Sequence, residues 1–174
     1  MSPYVRTIRS PLLRLLMLLI ACLTAGSLLA GCSPASSGGI QCAETYLDHL
    51  IKGEYDEAYA MLSDYDKQNI SQDTYLRWRQ AVDQIITIED ATVNTGVDKF
   101  PNYKYQGTTF GYVLGLKISR QQKTLRSGIE LDGYNQPDYR QMVVFENDQW
   151  RMLLLITNLD ETVAAYEALL QKAS

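Results

Sequence analysis

The chain has 174 residues, of which 46% are hydrophobic and 21% are charged, a composition ordinary for a globular protein with one core. The formal net charge is −4, and it falls to near −7 once residues 1–31, which carry three arginines and no acid, are set aside. This acidic balance argues against a nucleic-acid-binding surface, which needs a basic footprint. It also argues against docking of the folded surface on anionic lipids.

The first residues of the chain have the layout of an export signal. Residues 1–14 are basic, residues 15–23 (LLMLLIACL) are wholly apolar, and small residues follow up to Cys32. This layout is typical of a secretory signal peptide. The apolar stretch from Leu15 to Ala30 is interrupted by polar residues and is shorter than the roughly 20 residues that a spanning helix needs. We therefore predict cleavage, with an uncleaved anchor as the alternative.

The end of this segment, Leu29-Ala30-Gly31-Cys32, resembles the lipobox of bacterial lipoproteins. The resemblance implies that residues 1–31 are removed as a signal peptide and that the Cys32 thiol carries a diacylglycerol. Because two or more acyl chains anchor a protein stably, it also implies a lipid-anchored location on the extracytoplasmic face of a bacterial cell membrane. An ordinary secretory cleavage that leaves Cys32 free or paired is the alternative.

The mature chain then divides into two parts. Residues 32–39 form the lipidated cysteine followed by SPASSGG, whose small, polar, aperiodic residues predict a flexible tether. Residues 40–174 form a single domain. Cys42 is the one cysteine of that domain, so we expect no disulfide in it and expect Cys42 to pack on a helix as a small hydrophobe.

Three helices are predicted at the start of the domain. Apolar residues recur at helical spacing in residues 40–53, 53–63 and 72–85. Gly53 ends the first of these helices, and Ser71 is suited to cap the start of the third. In the third helix the apolar side consists of Tyr75, Trp78, Val82 and Ile85.

The pattern then changes to that of strands. Residues 86–93 have strand character, and residues 94–107 are predicted to be a loop or hairpin end because they carry Gly, Pro and Asn. Residues 110–119 alternate strictly, which predicts that one face of a strand carries Phe110, Tyr112, Leu114, Leu116 and Ile118. Residues 138–156 predict two strands around Asn147-Asp148, and residues 158–173 predict a closing helix. Segregated helices and strands indicate an α+β fold, with N-terminal helices packed on a curved antiparallel sheet and a C-terminal helix added.

Residues 40–156 resemble the nuclear transport factor 2-like superfamily. The resemblance is carried by a Gly-x-Tyr-x-x-Ala-Tyr-x-x-Leu pattern beginning at Gly53, inside KGEYDEAYAMLSDYDKQNISQDTYLRW, and by the hairpin VVFENDQWRML with Trp150. It implies a cystatin-like α+β cone of the kind found in small bacterial lipoproteins and in the non-catalytic amino-terminal domain of some penicillin-binding proteins. The predicted helix after Trp150 departs from the usual pattern, in which the last strand closes the fold.

A cone of this kind has a mostly apolar pocket, and we expect a non-enzymatic module that binds a small apolar ligand or an unknown envelope protein. Large amphipathic rings and one cation are the candidates for its wall, with core packing as the alternative. These candidate pocket residues are Tyr59, Trp78, Tyr112, Tyr139 and Arg140.

A second hypothesis rests on LKISRQQKTLR, a basic stretch in an acidic domain. As an envelope scaffold or regulator, the protein would dock a partner through Lys117, Arg120, Lys123 and Arg126. A solvated hairpin tip is the plainer interpretation of the same residues.

A third and less favoured hypothesis is an isomerase or cyclase acting in the cone pocket. Such an enzyme needs a His or Asp base in an apolar site, and the residues that could serve are His49, Asp83 and Glu130. None of them lies on a predicted inward face. With no metal-ligand cluster or nucleophile motif in the sequence, we predict no catalytic residue, no metal site and no cofactor.

Overall fold

The computed structural model describes residues 35–126 and 138–172. Within them four helices precede a four-stranded antiparallel sheet and a fifth helix follows it, so the predicted α+β class is confirmed. The helices are α1 (Ser36–Lys52), α2 (Tyr55–Ala60), α3 (Asp64–Asn69), α4 (Gln72–Asp83) and α5 (Leu159–Lys172). The strands are β1 (Ile86–Tyr105), β2 (Thr108–Thr124), β3 (Asp138–Glu146) and β4 (Gln149–Leu153). No helix in the described ranges is long and apolar enough to cross a bilayer.

Helix α1 begins at Ser36, so the last four residues of the expected tether form its first turn. Gly39 lies so close to the sheet that a Cβ there would come within 2.7 Å of Leu114 Cδ1. The helix ends at Gly53, whose φ of 73° is the left-handed conformation that glycine adopts readily at a C-cap. The first turn is therefore helical because its small residues fit against the sheet, although their composition is typical of a linker.

The helices that follow α1 differ in part from the prediction. The predicted helix over residues 53–63 is reduced to α2, and α3, which the periodicity does not predict, follows it. A helix of six residues is too short to display a helical repeat in the sequence. Helix α4 matches its prediction, and the Ser71 hydroxyl caps it by accepting a hydrogen bond from the Thr74 N–H.

The four strands pair in the order β1-β2-β3-β4. Residues 94–107 are predicted as a loop or hairpin end, but residues 94–105 are the second half of β1, so the prediction of a loop is wrong for them. A register shift between Val93 and Val97 takes up the Asn-Thr-Gly segment, and Pro101 is tolerated because β1 is an edge strand. The turn lies at Gln106 and Gly107, both with positive φ, which is typical of a two-residue hairpin.

The closing hairpin is confirmed, with Asn147 and Asp148 both at positive φ between β3 and β4. Strand β4 also pairs with the segment that links α2 to α3, because Met152 N–H donates to the Met61 carbonyl oxygen at 2.9 Å. Ser63 N–H donates in turn to the Met152 carbonyl oxygen at 2.8 Å. The helices are thereby tied to the free edge of the sheet.

The sheet has an apolar cluster on each side. The helices cover one face, where Leu114, Leu116 and Ile118 are fully buried as predicted. Phe110, predicted to share that face, instead packs with Val113 in a second cluster. Tyr65 of α3 covers Phe110 edge-on, with ring centroids 5.5 Å apart. The alternation predicted for β2 thus holds from Tyr112 to Ile118 and fails at Phe110.

Helix α5 contacts α4. Its apolar stripe is buried as predicted. At the rim, Arg77 of α4 forms a salt bridge with Glu167 at 2.8 Å, and the Thr74 hydroxyl donates to the Asp160 carboxylate at 2.8 Å. The closing helix therefore extends the helical layer. Its buried residues are Leu159, Val163, Tyr166 and Leu170.

Candidate functional site

A cleft of about 380 Å³ opens between the helical layer and the sheet. Helices α1 and α4, strands β1, β2 and β3, and the segment after β4 all contribute to its wall. Its lining combines aliphatic, aromatic and cationic side chains. The lining residues are Tyr46, Leu50, Trp78, Arg79, Ile88, Arg120, Tyr139, Arg140, Gln141, Leu154 and Ile156.

Three of the five candidate pocket residues, Trp78, Tyr139 and Arg140, line this cleft. Tyr59 does not, because its ring packs on Tyr75 at a centroid distance of 5.6 Å and its hydroxyl donates to the Ile70 carbonyl oxygen at 2.9 Å. Tyr112 does not either, because its ring packs on Trp150 at 5.9 Å. Those two rings belong to the core between helices and sheet.

Arg79, which is not among the five predicted pocket residues, lines the cleft and is buried, with 2% of its surface exposed. Its guanidinium carbon lies 5.1 Å from the centroid of the Trp78 ring and 5.9 Å from that of Tyr55. Its Nη2 lies 4.0 Å from Asp83 Oδ1, one helical turn further along α4. Arg79 lies four residues after Tyr75 and three before Val82, so it shares the buried side of α4 with them. This helical spacing could have identified Arg79 as a buried residue.

Arg120 is the second buried arginine of the cleft. It belongs to the basic stretch proposed as a partner surface, yet it is 8% exposed and its guanidinium carbon lies 4.6 Å from the Tyr139 ring centroid. Leu114, Leu116 and Ile118 alternate along β2 with a period of two residues, and Arg120 is the next position on the same face. The side chain therefore points to the helical side of the sheet.

The four cations of the basic stretch do not form one exposed surface. Besides the buried Arg120, Lys117 forms a salt bridge with Asp138 at 3.0 Å, and Arg126 donates to the Leu170 carbonyl oxygen of α5 at 3.4 Å. Lys123 is exposed on β2. These residues lie close together along the chain, but the geometry of the strand directs their side chains to different surroundings.

Arg140 lies at the mouth of the cleft. Its side chain is 63% exposed and forms a salt bridge with Asp98 of β1 at 2.8 Å. The hydroxyl of Tyr46, another lining residue, shares a buried hydrogen bond of 2.8 Å with the hydroxyl of Tyr75. The cleft therefore has two buried guanidinium groups, those of Arg79 and Arg120, and a third, that of Arg140, which is exposed at its mouth.

The residues considered for acid–base catalysis are not brought together. His49 Nδ1 pairs with Glu54 at 2.7 Å on the outer side of α1. Asp83 contacts Arg79 but does not line the cleft. Glu130, like Cys32, lies outside the described residues. Within residues 35–126 and 138–172 no group of His, Cys, Asp and Glu side chains could hold a metal ion.

Burial raises the pKa of Asp83 from 3.8 to about 6. A group whose pKa is higher in the folded than in the unfolded protein adds stability at low pH, and this contribution is lost as pH rises through the folded value. We therefore expect Asp83→Asn to resist urea better than wild type at neutral pH, with the difference shrinking as pH falls from about 6 to 3.8.

Asp73→Asn, exposed on the same helix, is the control for this pH series. A variant Asp83→Asn that is less stable than wild type at neutral pH would contradict the expectation. It would mean that the pairing of Asp83 with Arg79 outweighs the cost of burying the carboxylate.

Helices on one face of an open antiparallel sheet, with a cleft between the two layers, define an NTF2-like α+β domain. The family model described as "NTF2-like N-terminal transpeptidase domain" matches residues 40–152, well over half of the chain, and the chain belongs to this family. The match ends before α5, so the closing helix lies outside it. No curated protein and no solved structure gives a significant match to the chain.

Proposed function

We propose that the protein is a lipid-anchored, non-enzymatic binding module on the extracytoplasmic face of a bacterial cell membrane. In this proposal Cys32 carries the lipid and the cleft receives a small ligand or a segment of an envelope protein. The observation that carries the binding role is the cleft itself, which is walled by aromatic rings, aliphatic side chains and arginines.

The composition of the cleft supports a role in ligand binding and not in acid–base catalysis. Small-molecule sites are concave and largely apolar, with a few polar groups that fix the orientation of the ligand, and this cleft lies at the small end of their usual range of about 300–1,000 Å³. Arginine stays protonated in proteins and is suited to holding anions, not to abstracting protons. The description of the family as an N-terminal domain of transpeptidases also favours an accessory role.

The anchor is supported by the lipobox resemblance of Leu29–Cys32 and by the short interval that follows it. Helix α1 begins at Ser36, four residues after Cys32. At about 3.5 Å per extended residue, a lipid on Cys32 would hold Ser36 within roughly 14 Å of the acylated residue. A ligand of the cleft would then be a molecule available close to the membrane surface.

A photo-crosslinking residue in place of Tyr139 tests both parts of the proposal in the native bacterium. We expect a specific adduct in the membrane fraction from position 139, because Tyr139 lines the cleft. The same residue in place of Tyr103, which packs in the second cluster on the other face, is the matched control. Cys32→Ala should abolish labelling by an alkyne fatty acid and release the protein from the membrane.

Cys42→Ala is the control for the lipid label. Cys42 is buried, its thiol donates to the Trp150 carbonyl oxygen at 3.4 Å, and burial raises its pKa to about 11. We expect this variant to keep both the label and the membrane location. Label that persists in Cys32→Ala would contradict the anchor, and identical adducts from positions 139 and 103 would contradict binding in the cleft.

A further inference from the structure

The cleft is unusual in placing two arginines inside the protein. Arg79 and Arg120 line the same cavity from opposite layers, one from α4 and one from β2, and they are 2% and 8% exposed. Arginine is rarely buried to this degree, because removing a charge from water is unfavourable unless other groups compensate. Two buried guanidinium groups in the wall of one cleft are therefore a feature that the packing of apolar side chains does not account for.

The charged side chains in the described lining of the cleft are opposite in sign to the net charge of the chain beyond residue 31. The charged residues among the described lining are Arg79, Arg120 and Arg140, whereas the chain beyond residue 31 has a net charge near −7. Asp83 and Asp98 approach Arg79 and Arg140 from outside the lining. Positive charge inside a cleft with apolar walls concentrates the field and attracts anions.

An aromatic ring lies beside each of the two buried guanidinium groups. Arg79 lies over Trp78, and Arg120 lies over Tyr139 at 4.6 Å. A guanidinium group is planar and holds its N–H donors in one plane in a fixed fork. That planar set of donors matches the oxygens of a carboxylate or a phosphate.

We propose that the cleft binds an organic anion, a carboxylate or a phosphate monoester on an apolar body. The anionic group contacts Arg79 and Arg120, and the apolar body lies against Trp78 and the aliphatic side chains of Leu154 and Ile156. This inference rests on the proposed binding role of the cleft and adds the chemical class of the ligand.

The tryptophans provide a direct readout of binding. The chain has two, and Trp78 lines the cleft whereas Trp150 does not. In the full chain with Trp150→Phe, held in neutral detergent, fluorescence reports on Trp78 alone. The probes are phenylbutyrate, phenyl phosphate and the uncharged amide of phenylbutyrate, with partition into protein-free micelles subtracted.

We expect saturable changes in Trp78 fluorescence with one or both anions and at least about tenfold weaker binding of the amide, since charge-assisted hydrogen bonds are lost with it. The anion that binds more tightly indicates whether the natural ligand carries a carboxylate or a phosphate group. Arg120→Met should weaken anion binding about tenfold and leave the amide unchanged. Lys123→Gln removes one positive charge from an exposed site on the same strand and should leave binding unchanged.

The outcomes separate this inference from the binding role on which it rests. Equal, saturable binding of amide and anion would overturn the anion class while leaving a ligand-binding cleft. The absence of any saturable change with a folded protein would overturn the anion class, and the binding role would then be decided by the crosslinking experiment at positions 139 and 103. If Arg120→Met does not fold, Arg120→Lys takes its place. The comparison of anion with amide on the Trp150→Phe chain then still tests whether the cleft prefers an anion.

Discussion

Replacing Asp66 with asparagine is expected to lower the free energy of unfolding by about 2–4 kcal/mol, because a buried carboxylate with three donors becomes an amide with one acceptor. Asp66 lies on α3 and is 0% exposed. Its Oδ2 accepts hydrogen bonds from the Ser63 hydroxyl at 2.7 Å and from Leu154 N–H at 2.8 Å, and its Oδ1 accepts one from Leu155 N–H at 3.1 Å.

The amide cannot reproduce this arrangement in either orientation. Asparagine places an NH₂ group at one of the two oxygen positions, and there it faces a donor on Ser63, Leu154 or Leu155. Burial raises the pKa of Asp66, and the same three hydrogen bonds oppose the rise. The carboxyl group therefore joins α3 to the chain that leaves β4, and losing it should loosen one wall of the cleft, where Leu154 lies.

Urea unfolding followed by circular dichroism measures the effect of Asp66→Asn. Asp48→Asn is the matched control, because Asp48 is an exposed acid that pairs with Lys52 at 2.6 Å on α1. We expect the control to unfold almost as wild type does, since exposed ion pairs contribute little. Equal stability of Asp66→Asn and Asp48→Asn would show that the buried carboxyl does not hold α3 to the sheet.

Replacing Gly39 with valine should also destabilise the fold, by about 1–3 kcal/mol, because it inserts carbon atoms where helix α1 already touches the sheet. A Cβ at Gly39 would lie 2.7 Å from Leu114 Cδ1, 3.1 Å from Val143 Cγ2 and 3.4 Å from Trp150 Cδ2. Leu114 is fully buried, so its side chain has little room to move away. The expected loss exceeds the small gain in helix propensity that follows the removal of a glycine.

A second substitution identifies the contact responsible. Leu114→Ala alone should lower stability by about 2–5 kcal/mol through the cavity it leaves. In the double variant the valine fills part of that cavity, so the combined loss should fall short of the sum by about 0.5–3 kcal/mol. Ser37→Val, an exposed change in the same turn, is the control, and strict additivity of Gly39→Val and Leu114→Ala would contradict the proposed contact.

The sequence predicted most elements that carry a clear local signal. Helix α4 follows its cap at Ser71, the hairpin turns at Asn147 and Asp148, and α5 buries the stripe expected of it. Each of these rests on residues close together in the chain. Where the local signal misled, as in residues 94–105, strand pairing with β2 overrode the turn residues and absorbed them in a register shift and an edge strand.

The candidate site was predicted only in part. Trp78, Tyr139 and Arg140 line the cleft, but Tyr59 and Tyr112 belong to the core. Ring type alone does not distinguish the two environments, because a core ring and a pocket ring have the same chemistry and the same periodicity. The difference depends on whether a facing element fills the space beside the ring, and that is a property of packing between distant segments.

By itself the sequence determined the fold class, the order of most elements and the acidic charge of the domain, because these follow from composition and short-range periodicity. The lipid anchor at Cys32 remains a prediction from the same source. Only the tertiary structure decided that Arg79 and Arg120 line the same cleft. Both follow the buried pattern of their own elements, yet their charge favours exposure. In the folded chain, aromatic rings lie beside both guanidinium groups, Trp78 and Tyr55 beside Arg79 and Tyr139 beside Arg120.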